Sequence, residues 1–307
     1  MKKIIAAILI IVVAAVVAFF AFPEWIAGYF INYEREKAGL VQNEIMIDDH
    51  KIVYLEGGQG KAILMLHGYS ANKDNWPRFA AYFTKDYRVV IPDLPGHGDS
   101  SQLMNAKYDE QSQIERLHKF GQAIKIDKLH IVGNSMGGWF AGAYAARYPD
   151  DVSSVGLFDA AGVRSLEKSE VIKLMEKGET PLLLKDGNDY DRLMKLVFAN
   201  PPSLPYPFKK MFIKKALANR AFNEKIANDL RDGFNSLEND LPKIKAPALI
   251  LWGDQDRILD VSSVPVFEKG LKNFRTVIIK ECGHAPMLEK PKETAAAYIS
   301  FIRETGK

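Results

Sequence analysis

Residues 133–137 read Gly-Asn-Ser-Met-Gly and fit the pattern G-x-S-x-G, which places Ser135 between two glycines. The short, mostly apolar run at residues 128–132 predicts a buried strand before the motif, and residues 138–149 predict a helix that a proline ends. A serine on a tight turn between a strand and a helix is a nucleophile elbow, which lifts the hydroxyl above the sheet edge. The helix N-terminus beneath it offers backbone N–H groups to a developing oxyanion. Ser135 is therefore the candidate nucleophile.

A nucleophilic serine needs a base, and His284 is the best-placed histidine for that role. It follows the last predicted strand and precedes the last predicted helix, so a loop carries it to the sheet edge where Ser135 lies. It also fits the chain order Ser…Asp…His. The other five histidines have structural or solvated interpretations: His50 in a hairpin turn, His67 and His97 in loops, His118 on a polar helix and His130 inside a strand.

The acid that orients His284 is expected one strand earlier in the chain. It should lie in the loop that follows the second-to-last predicted strand. Residues 253–257 supply two candidates there, Asp254 and Asp256. An aspartate next to a glycine often shapes the turn with its own side chain, and this favours Asp254 as the turn residue and Asp256 as the acid. Asp159, at the end of an earlier strand, is a third candidate, and its alternative interpretation is a loop or helix cap.

An oxyanion hole needs two backbone N–H donors. Met136, directly after the nucleophile, is expected to supply one, and Tyr69, in the loop after the first long buried strand, the other. Gly68, Tyr69 and Met136 are therefore the predicted substrate-binding residues. His67 and His97 are expected to orient the loops that carry them, although each is a conceivable second base.

The elements that position these residues alternate between strand and helix over residues 43–162 and 246–307. This alternation predicts an α/β core with a parallel sheet covered by helices on both faces. Residues 163–245 contain no convincing strand and much helical pattern, which predicts a helical lid over the site. The alternative is an ordinary crossover, which would be several times longer than a single helix needs.

The composition restricts the possible partners. The 307 residues are 47% hydrophobic and 26% charged, as in globular proteins, and a net charge of +3 argues against a nucleic-acid partner. A single cysteine, Cys282, excludes an intrachain disulfide and a zinc–cysteine cluster. Serine, histidine and aspartate together require no metal and no organic cofactor.

The N-terminus carries 19 residues without a polar side chain, residues 4–22, directly after Lys2 and Lys3. As a helix this run would span about 28 Å, which predicts a transmembrane anchor over residues 1–23 and a juxtamembrane helix over residues 24–42. A cleaved signal peptide is the alternative, but an A-x-A cleavage site is missing. The lysines favour a cytoplasmic N-terminus, so the catalytic domain is expected to be extracytoplasmic, at the periplasmic face of the inner membrane in a bacterium.

Five motifs in this order resemble the α/β-hydrolase superfamily, and the resemblance covers residues 45–305. They lie at residues 66–68, 93–100, 133–138, 253–256 and 283–284. Residues 63–76 and 148–154 more closely resemble the membrane-anchored monoacylglycerol lipases of the α/β-hydrolase domain-containing protein 6 type. The chain is also similar to small lipases of cold-adapted gammaproteobacteria, which share the elbow and an apolar N-terminal segment.

This resemblance implies the α/β-hydrolase fold, with an eight-stranded, mostly parallel sheet. It implies a triad of Ser135, Asp256 and His284, with Tyr69 and Met136 as oxyanion donors. It further implies an ester substrate with a fatty acyl chain, so a monoacylglycerol lipase is expected. The alternatives are a triacylglycerol lipase, a short-chain carboxylesterase, and a carbon–carbon hydrolase of meta-cleavage products, which uses a similar elbow. The intact serine, aspartate and histidine argue against a non-catalytic binding protein.

Overall fold

A single sheet of eight strands forms the centre of the molecule. The structure is a computed structural model that describes the backbone of residues 2–305 and the side chains of residues 3–13, 17 and 19–305. The strands are β1 (Val41–Ile47), β2 (His50–Gly57), β3 (Ala62–Leu66), β4 (Arg88–Pro92), β5 (Leu129–Asn134), β6 (Val152–Phe158), β7 (Ala248–Gly253) and β8 (Phe274–Ile279). Their order in the sheet is β1-β2-β4-β3-β5-β6-β7-β8.

Only the β1–β2 and β2–β4 pairs are antiparallel within the described chain, and every other pair in the sheet is parallel. The predicted α/β fold with a mostly parallel, eight-stranded sheet is therefore confirmed. Strands β3, β5 and β7 are buried along their whole length, which explains why each reads as a nearly continuous apolar run.

Twelve α-helices accompany the sheet in the described residues. They are α1 (Lys2–Ala21), α2 (Pro23–Lys37), α3 (Pro77–Ala80), α4 (Glu110–Ala123), α5 (Met136–Arg147), α6 (Glu170–Met175), α7 (Asp189–Val197), α8 (Tyr206–Ala218), α9 (Arg220–Asp232), α10 (Val264–Gly270), α11 (Pro286–Glu289) and α12 (Pro291–Thr305).

Two apolar layers enclose the sheet, one on each face. Side chains alternate between the layers along a strand, so Leu64 of β3 packs with Phe140 of α5, whereas Ile63 packs with Phe79 of α3 and Tyr298 of α12. Burial on both faces makes the sheet a rigid support for the loops at the strand ends.

The segment between β6 and β7 holds the four helices α6–α9 and, within the described residues, no strand. It corresponds to residues 163–245, the predicted lid, and is called the cap below. The cap contacts the core through long-range hydrogen bonds: the Tyr69 hydroxyl donates to the backbone oxygen of Asn223 at 2.7 Å, and Asn223 Nδ2 donates to Ser70 Oγ at 2.9 Å.

The N-terminal prediction needs correction. None of the helices within residues 2–305 combines the length and the apolar character that a membrane crossing requires. The predicted transmembrane anchor over residues 1–23 and the membrane contact through it are therefore wrong, and the extracytoplasmic location deduced from the anchor loses its basis. Residue 1, and residues 306–307 of the predicted core segment, lie outside the described residues.

The second N-terminal helix also differs from its prediction, because α2 ends at Lys37 and not at residue 42. Gly39 adopts a positive φ of 66° directly after the helix, a conformation that ends helices and favours glycine. The helix contacts the core: Arg35 donates two side-chain hydrogen bonds, of 2.7 and 2.8 Å, to the carboxylate of Asp74.

Candidate active site

Ser135 lies on a strained turn between β5 and α5. Its φ is 59° and its ψ is −121°, values that residues other than glycine rarely adopt. The turn is held from both sides: the Ser135 N–H donates to Phe158 O at 3.0 Å, and the Ser135 carbonyl accepts from the N–H of Ala161 at 3.0 Å. A side chain at Gly137 would collide with the backbone oxygen of Leu66, so only glycine permits this crossing.

Asp256 and His284 meet across two loops at the carboxyl ends of β7 and β8. His284 Nδ1 lies 2.7 Å from Asp256 Oδ2, and both residues are buried. The other oxygen, Asp256 Oδ1, accepts the N–H groups of Ile258 at 2.8 Å and Leu259 at 3.0 Å. These two bonds fix the carboxylate, which in turn holds the imidazole with a proton on Nδ1.

Asp254, the other candidate in that loop, does not contact the histidine. Its carboxylate accepts the N–H of Cys282 at 3.4 Å and lies 3.5 Å from Lys280 Nζ, as a turn-shaping residue would. Of the two carboxylates in residues 253–257, the structure brings Asp256 to His284.

Asn134, directly before the serine, is a residue that the sequence reasoning missed. Its Nδ2 donates to the backbone oxygen of His284 at 2.8 Å. The His284 N–H donates to the backbone oxygen of Val197 at 2.8 Å, which ties the loop to the cap as well. The motif spacing gave no signal for this contact, because it joins positions 150 residues apart in the chain.

The loop after β3 passes directly over the serine. A Cβ added at Gly68 would lie 3.2 Å from Ser135 Cβ. In the described part of the chain, the backbone N–H groups of Tyr69 and Met136 donate no hydrogen bond. Both N–H groups therefore have no internal partner in the described structure.

His67 and His97 orient the surrounding loops. His67 Nδ1 lies 2.8 Å from Gly68 O, and its Nε2 accepts the Leu94 N–H at 3.0 Å, which fixes the tautomer. Burial lowers the pKa of His67 to about 4 and that of His97 to about 3. Both rings are neutral at neutral pH, and His67 has no ring nitrogen left for a substrate.

Asp159, the third candidate acid, is completely buried at the end of β6. One of its oxygens, one Asp256 oxygen and one His284 ring nitrogen lie within 4.8 Å of one another. This group does not suit a metal ion, because His284 Nδ1 and both Asp256 oxygens already have hydrogen-bond partners. Burial, and then the negative charge of Asp256, raises the pKa of Asp159 well above its ordinary value.

A cavity of about 440 Å³ lies between the core and the cap, and Ser135, Asn134, Gly68 and His284 form its floor. The cap supplies an apolar wall, made of Leu182, Leu193, Met194, Val197, Phe198 and Phe212. It also supplies a polar wall, made of Lys215, Asn219, Arg220 and Asn223. The cap therefore presents both apolar and polar side chains to the cavity.

Ser135 Oγ and the His284 ring line this cavity, but no hydrogen bond joins them in the described structure. Contacts between a nucleophile and its base are often long in the absence of substrate and shorten in the reacting complex. One cavity is thus lined by Ser135, by Tyr69 with its unpaired N–H group and by His284 of the buried aspartate–histidine pair, and the unpaired N–H group of Met136 directly follows Ser135 in the chain.

Comparison with known proteins places the chain among α/β hydrolases. Residues 61–179 match a family model described as the alpha/beta hydrolase fold. Lipase 1 of Psychrobacter immobilis is 35% identical over 276 residues, which cover 88% of this chain and 87% of that protein. Monoacylglycerol lipase ABHD6 of Bos taurus is 29% identical over 305 residues, which cover 95% and 90%. A crystal structure described as a bacterial membrane phospholipase A covers both chains completely, with 42% identity and a TM-score of 0.92.

Proposed function

The chain belongs to the α/β-hydrolase family and is a hydrolase of lipid esters, and from this premise we propose that it is a serine hydrolase with monoacylglycerols as its favoured substrates. The observation that carries the proposal is the hydrogen bond between Asp256 and His284, because His284 lines the same cavity as Ser135 on its elbow. A serine, a histidine base and an orienting aspartate are the parts that acyl transfer to serine requires.

Acylation begins when His284 Nε2 takes the proton from Ser135 Oγ as the oxygen attacks the ester carbonyl carbon. A bond forms between Oγ and this carbon, and the carbonyl π electrons move to the oxygen. The hydrogen bond from His284 Nδ1–H to Asp256 keeps the ring oriented and stabilises the imidazolium.

The negative oxygen of the tetrahedral intermediate binds to the N–H groups of Tyr69 and Met136. Removing one such donor typically costs about 3 kcal/mol of transition-state stabilisation. The imidazolium then protonates the leaving alcohol as the ester bond breaks. Water, deprotonated by His284, attacks the acyl-enzyme and releases the fatty acid and Ser135.

The shape of the cavity favours an ester with a single long acyl chain. The apolar wall of the cap, which includes Leu193, Met194 and Phe212, suits an acyl chain, and the polar wall around Asn219 and Asn223 suits the hydroxyls of a glycerol. A volume of about 440 Å³ is too small to enclose the three long chains of a triacylglycerol at once. A monoacylglycerol therefore fits better than a triacylglycerol.

A substrate panel tests the proposal. The panel contains monooleoylglycerol, trioleoylglycerol, p-nitrophenyl butyrate and a meta-cleavage dienoate, with Ser135→Ala as the inactive control. We expect the highest kcat/KM for monooleoylglycerol and no carbon–carbon cleavage. A preference for the butyrate ester would indicate a short-chain carboxylesterase, and cleavage of the dienoate alone would contradict the proposal.

A further inference from the structure

A second carboxylate lies behind the aspartate–histidine pair and takes no part in the chemistry described so far. Asp159 is fully buried and follows β6, where its backbone has a φ of 43°. Its N–H donates to Leu251 O at 2.9 Å, so it is fixed between β6 and β7. A buried carboxylate in a strained backbone conformation is costly, which suggests that its position serves a purpose.

Asp159 has far fewer hydrogen-bond donors than Asp256. Asp159 Oδ1 accepts the Gly253 N–H at 2.9 Å, whereas Oδ2 is buried and has no partner in the described structure. Asp256 receives two backbone N–H bonds and the His284 ring. Hydrogen bonds from donors stabilise the charged form of a carboxylate, so the negative charge belongs on Asp256.

The titratable groups around Asp159 in the described structure carry no permanent positive charge that would offset a second negative one. They are Asp256 and Glu289, which are acidic, Cys282, whose thiol pKa burial raises, and the His284 ring, which lies within 4.8 Å. Asp159 and Asp256 are both buried, with an oxygen of each within 4.8 Å of the other. Two carboxylates at this separation in a buried site cannot both ionise at low cost, so one of them holds a proton. Desolvation and the Asp256 charge raise the pKa of Asp159, which makes it the protonated partner.

We propose that Asp159 is a positioning residue, a neutral carboxylic acid that donates a hydrogen bond from Oδ2 to the Asp256 carboxylate and holds it against His284. This proposal rests on the proposed function, because it assigns Asp159 a role in the same serine hydrolase site. The hydrogen bond gives the otherwise unpartnered Asp159 Oδ2 a partner. It also stabilises the charged form of Asp256, and the neutral Asp159 adds no second negative charge near the imidazole.

Two variants test the donor role. Asp159→Ala removes the hydrogen bond and should lower kcat for p-nitrophenyl butyrate about 10-fold with little change in KM, since the residue does not line the substrate cavity. Asp159→Asn keeps a donor in the same place and should restore most of the lost kcat. Asp254→Asn is the matched control, because Asp254 lies in the Asp256 loop without contacting His284, and it should behave like the wild type.

The pH profile distinguishes a neutral Asp159 from an ionised one. With a neutral Asp159, Asp159→Asn leaves the midpoint of the acidic limb of kcat/KM where the wild type has it. With an ionised Asp159, the same variant removes a negative charge near the imidazole, and the midpoint moves to lower pH. Such a shift would overturn the proposal, and so would an unchanged kcat in Asp159→Ala.

An infrared measurement decides the protonation state even if Asp159→Ala fails to fold. The wild type minus Asp159→Asn difference spectrum at pH 7 should contain the carbonyl band of a protonated carboxyl group, and its absence would refute the proposal. Failure of the broader function has a different signature: the wild type would then not react with a fluorophosphonate, whereas failure of the Asp159 proposal leaves that reaction intact.

Discussion

At the scale of single residues, the arrangement depends on hydrogen bonds that select one aspartate among three. Asp256 contacts the His284 ring, Asp254 shapes the turn, and Asp159 lies behind the pair. The strand order in the sequence favoured an acid within residues 253–257 and left Asp159 as a third candidate. It could not place Asp159 next to Asp256, because this proximity arises only when β6 and β7 pair.

Asp256→Asn tests the assignment of the acid. The amide would favour the wrong tautomer of His284, and we expect a loss of about 10⁴-fold in kcat. Steady-state kinetics on p-nitrophenyl butyrate measure this loss, and Asp254→Asn serves as the control of the same type in the same loop. If Asp256→Asn retained activity while Asp159→Asn abolished it, the acid role would belong to Asp159.

Three buried histidines make the folded state sensitive to acid. Burial lowers the pKa of His67 to about 4, of His97 to about 3 and of His130 to about 4. The unfolded chain takes up these protons as the pH falls below about 6.5, whereas the folded chain does so only near pH 4 at His67 and His130 and near pH 3 at His97. The stability contributed by the neutral rings is therefore complete at neutral pH and declines between about pH 6.5 and pH 3.

His130→Gln tests this pH dependence away from the catalytic loops. His130 bonds to Ser154 Oγ at 2.8 Å inside the sheet, so its replacement leaves the site in place. The decrease in unfolding free energy between pH 7.5 and pH 5, measured with urea, should shrink by on the order of 2 kcal/mol in the variant. An identical decrease in both proteins would contradict a buried neutral His130.

At the scale of elements, the parallel strands deliver the candidate residues to one edge of the sheet. Ser135, Asp159, Asp256 and His284 follow β5, β6, β7 and β8, whose carboxyl ends point the same way. The apolar runs and their turn signals predicted these strands from the sequence. The packing of the cap helices could not be predicted from the sequence. An amphipathic pattern shows where a helix lies in the chain but not which element its apolar face packs against.

A bulky substitution in the apolar wall of the cap should change the acyl-chain preference of the enzyme. Met194 of α7 lines the apolar side of the cavity, and Met194→Trp would shorten the space for a chain. We expect kcat/KM for p-nitrophenyl palmitate to fall by about 10-fold or more, with little change for the butyrate. Met175→Trp is the matched control, since Met175 lies exposed on the cap helix α6. Equal losses on both esters would argue against an acyl-binding role of this wall.

At the scale of the whole molecule, the candidate site is built from the core and the cap, and none of the described side chains of α1 lines it. Among described side chains, Phe19 of α1 contacts Phe208 of α8 with ring centroids 5.3 Å apart. The apolar N-terminal run predicted a membrane pass, which the structure contradicts. The sequence shows that this segment is hydrophobic, but it does not show which part of the protein the segment packs against.

Deletion of residues 1–22 tests this division. The truncated chain keeps α2 and the paired contact between Arg35 and Asp74, so the core should fold and retain its kcat/KM on water-soluble esters. Circular dichroism and ester hydrolysis measure the two properties. Loss of activity in a folded truncated protein would show that α1 shapes the site.

The nucleophilic role of Ser135 is the central claim, and labelling with a fluorophosphonate followed by mass spectrometry tests it most directly. The account predicts one label per chain, mapped to Ser135, with no label in Ser135→Ala and a loss of turnover of about 10⁴-fold or more in a variant that remains folded. A label on another residue, or turnover that survives in Ser135→Ala, would contradict the account.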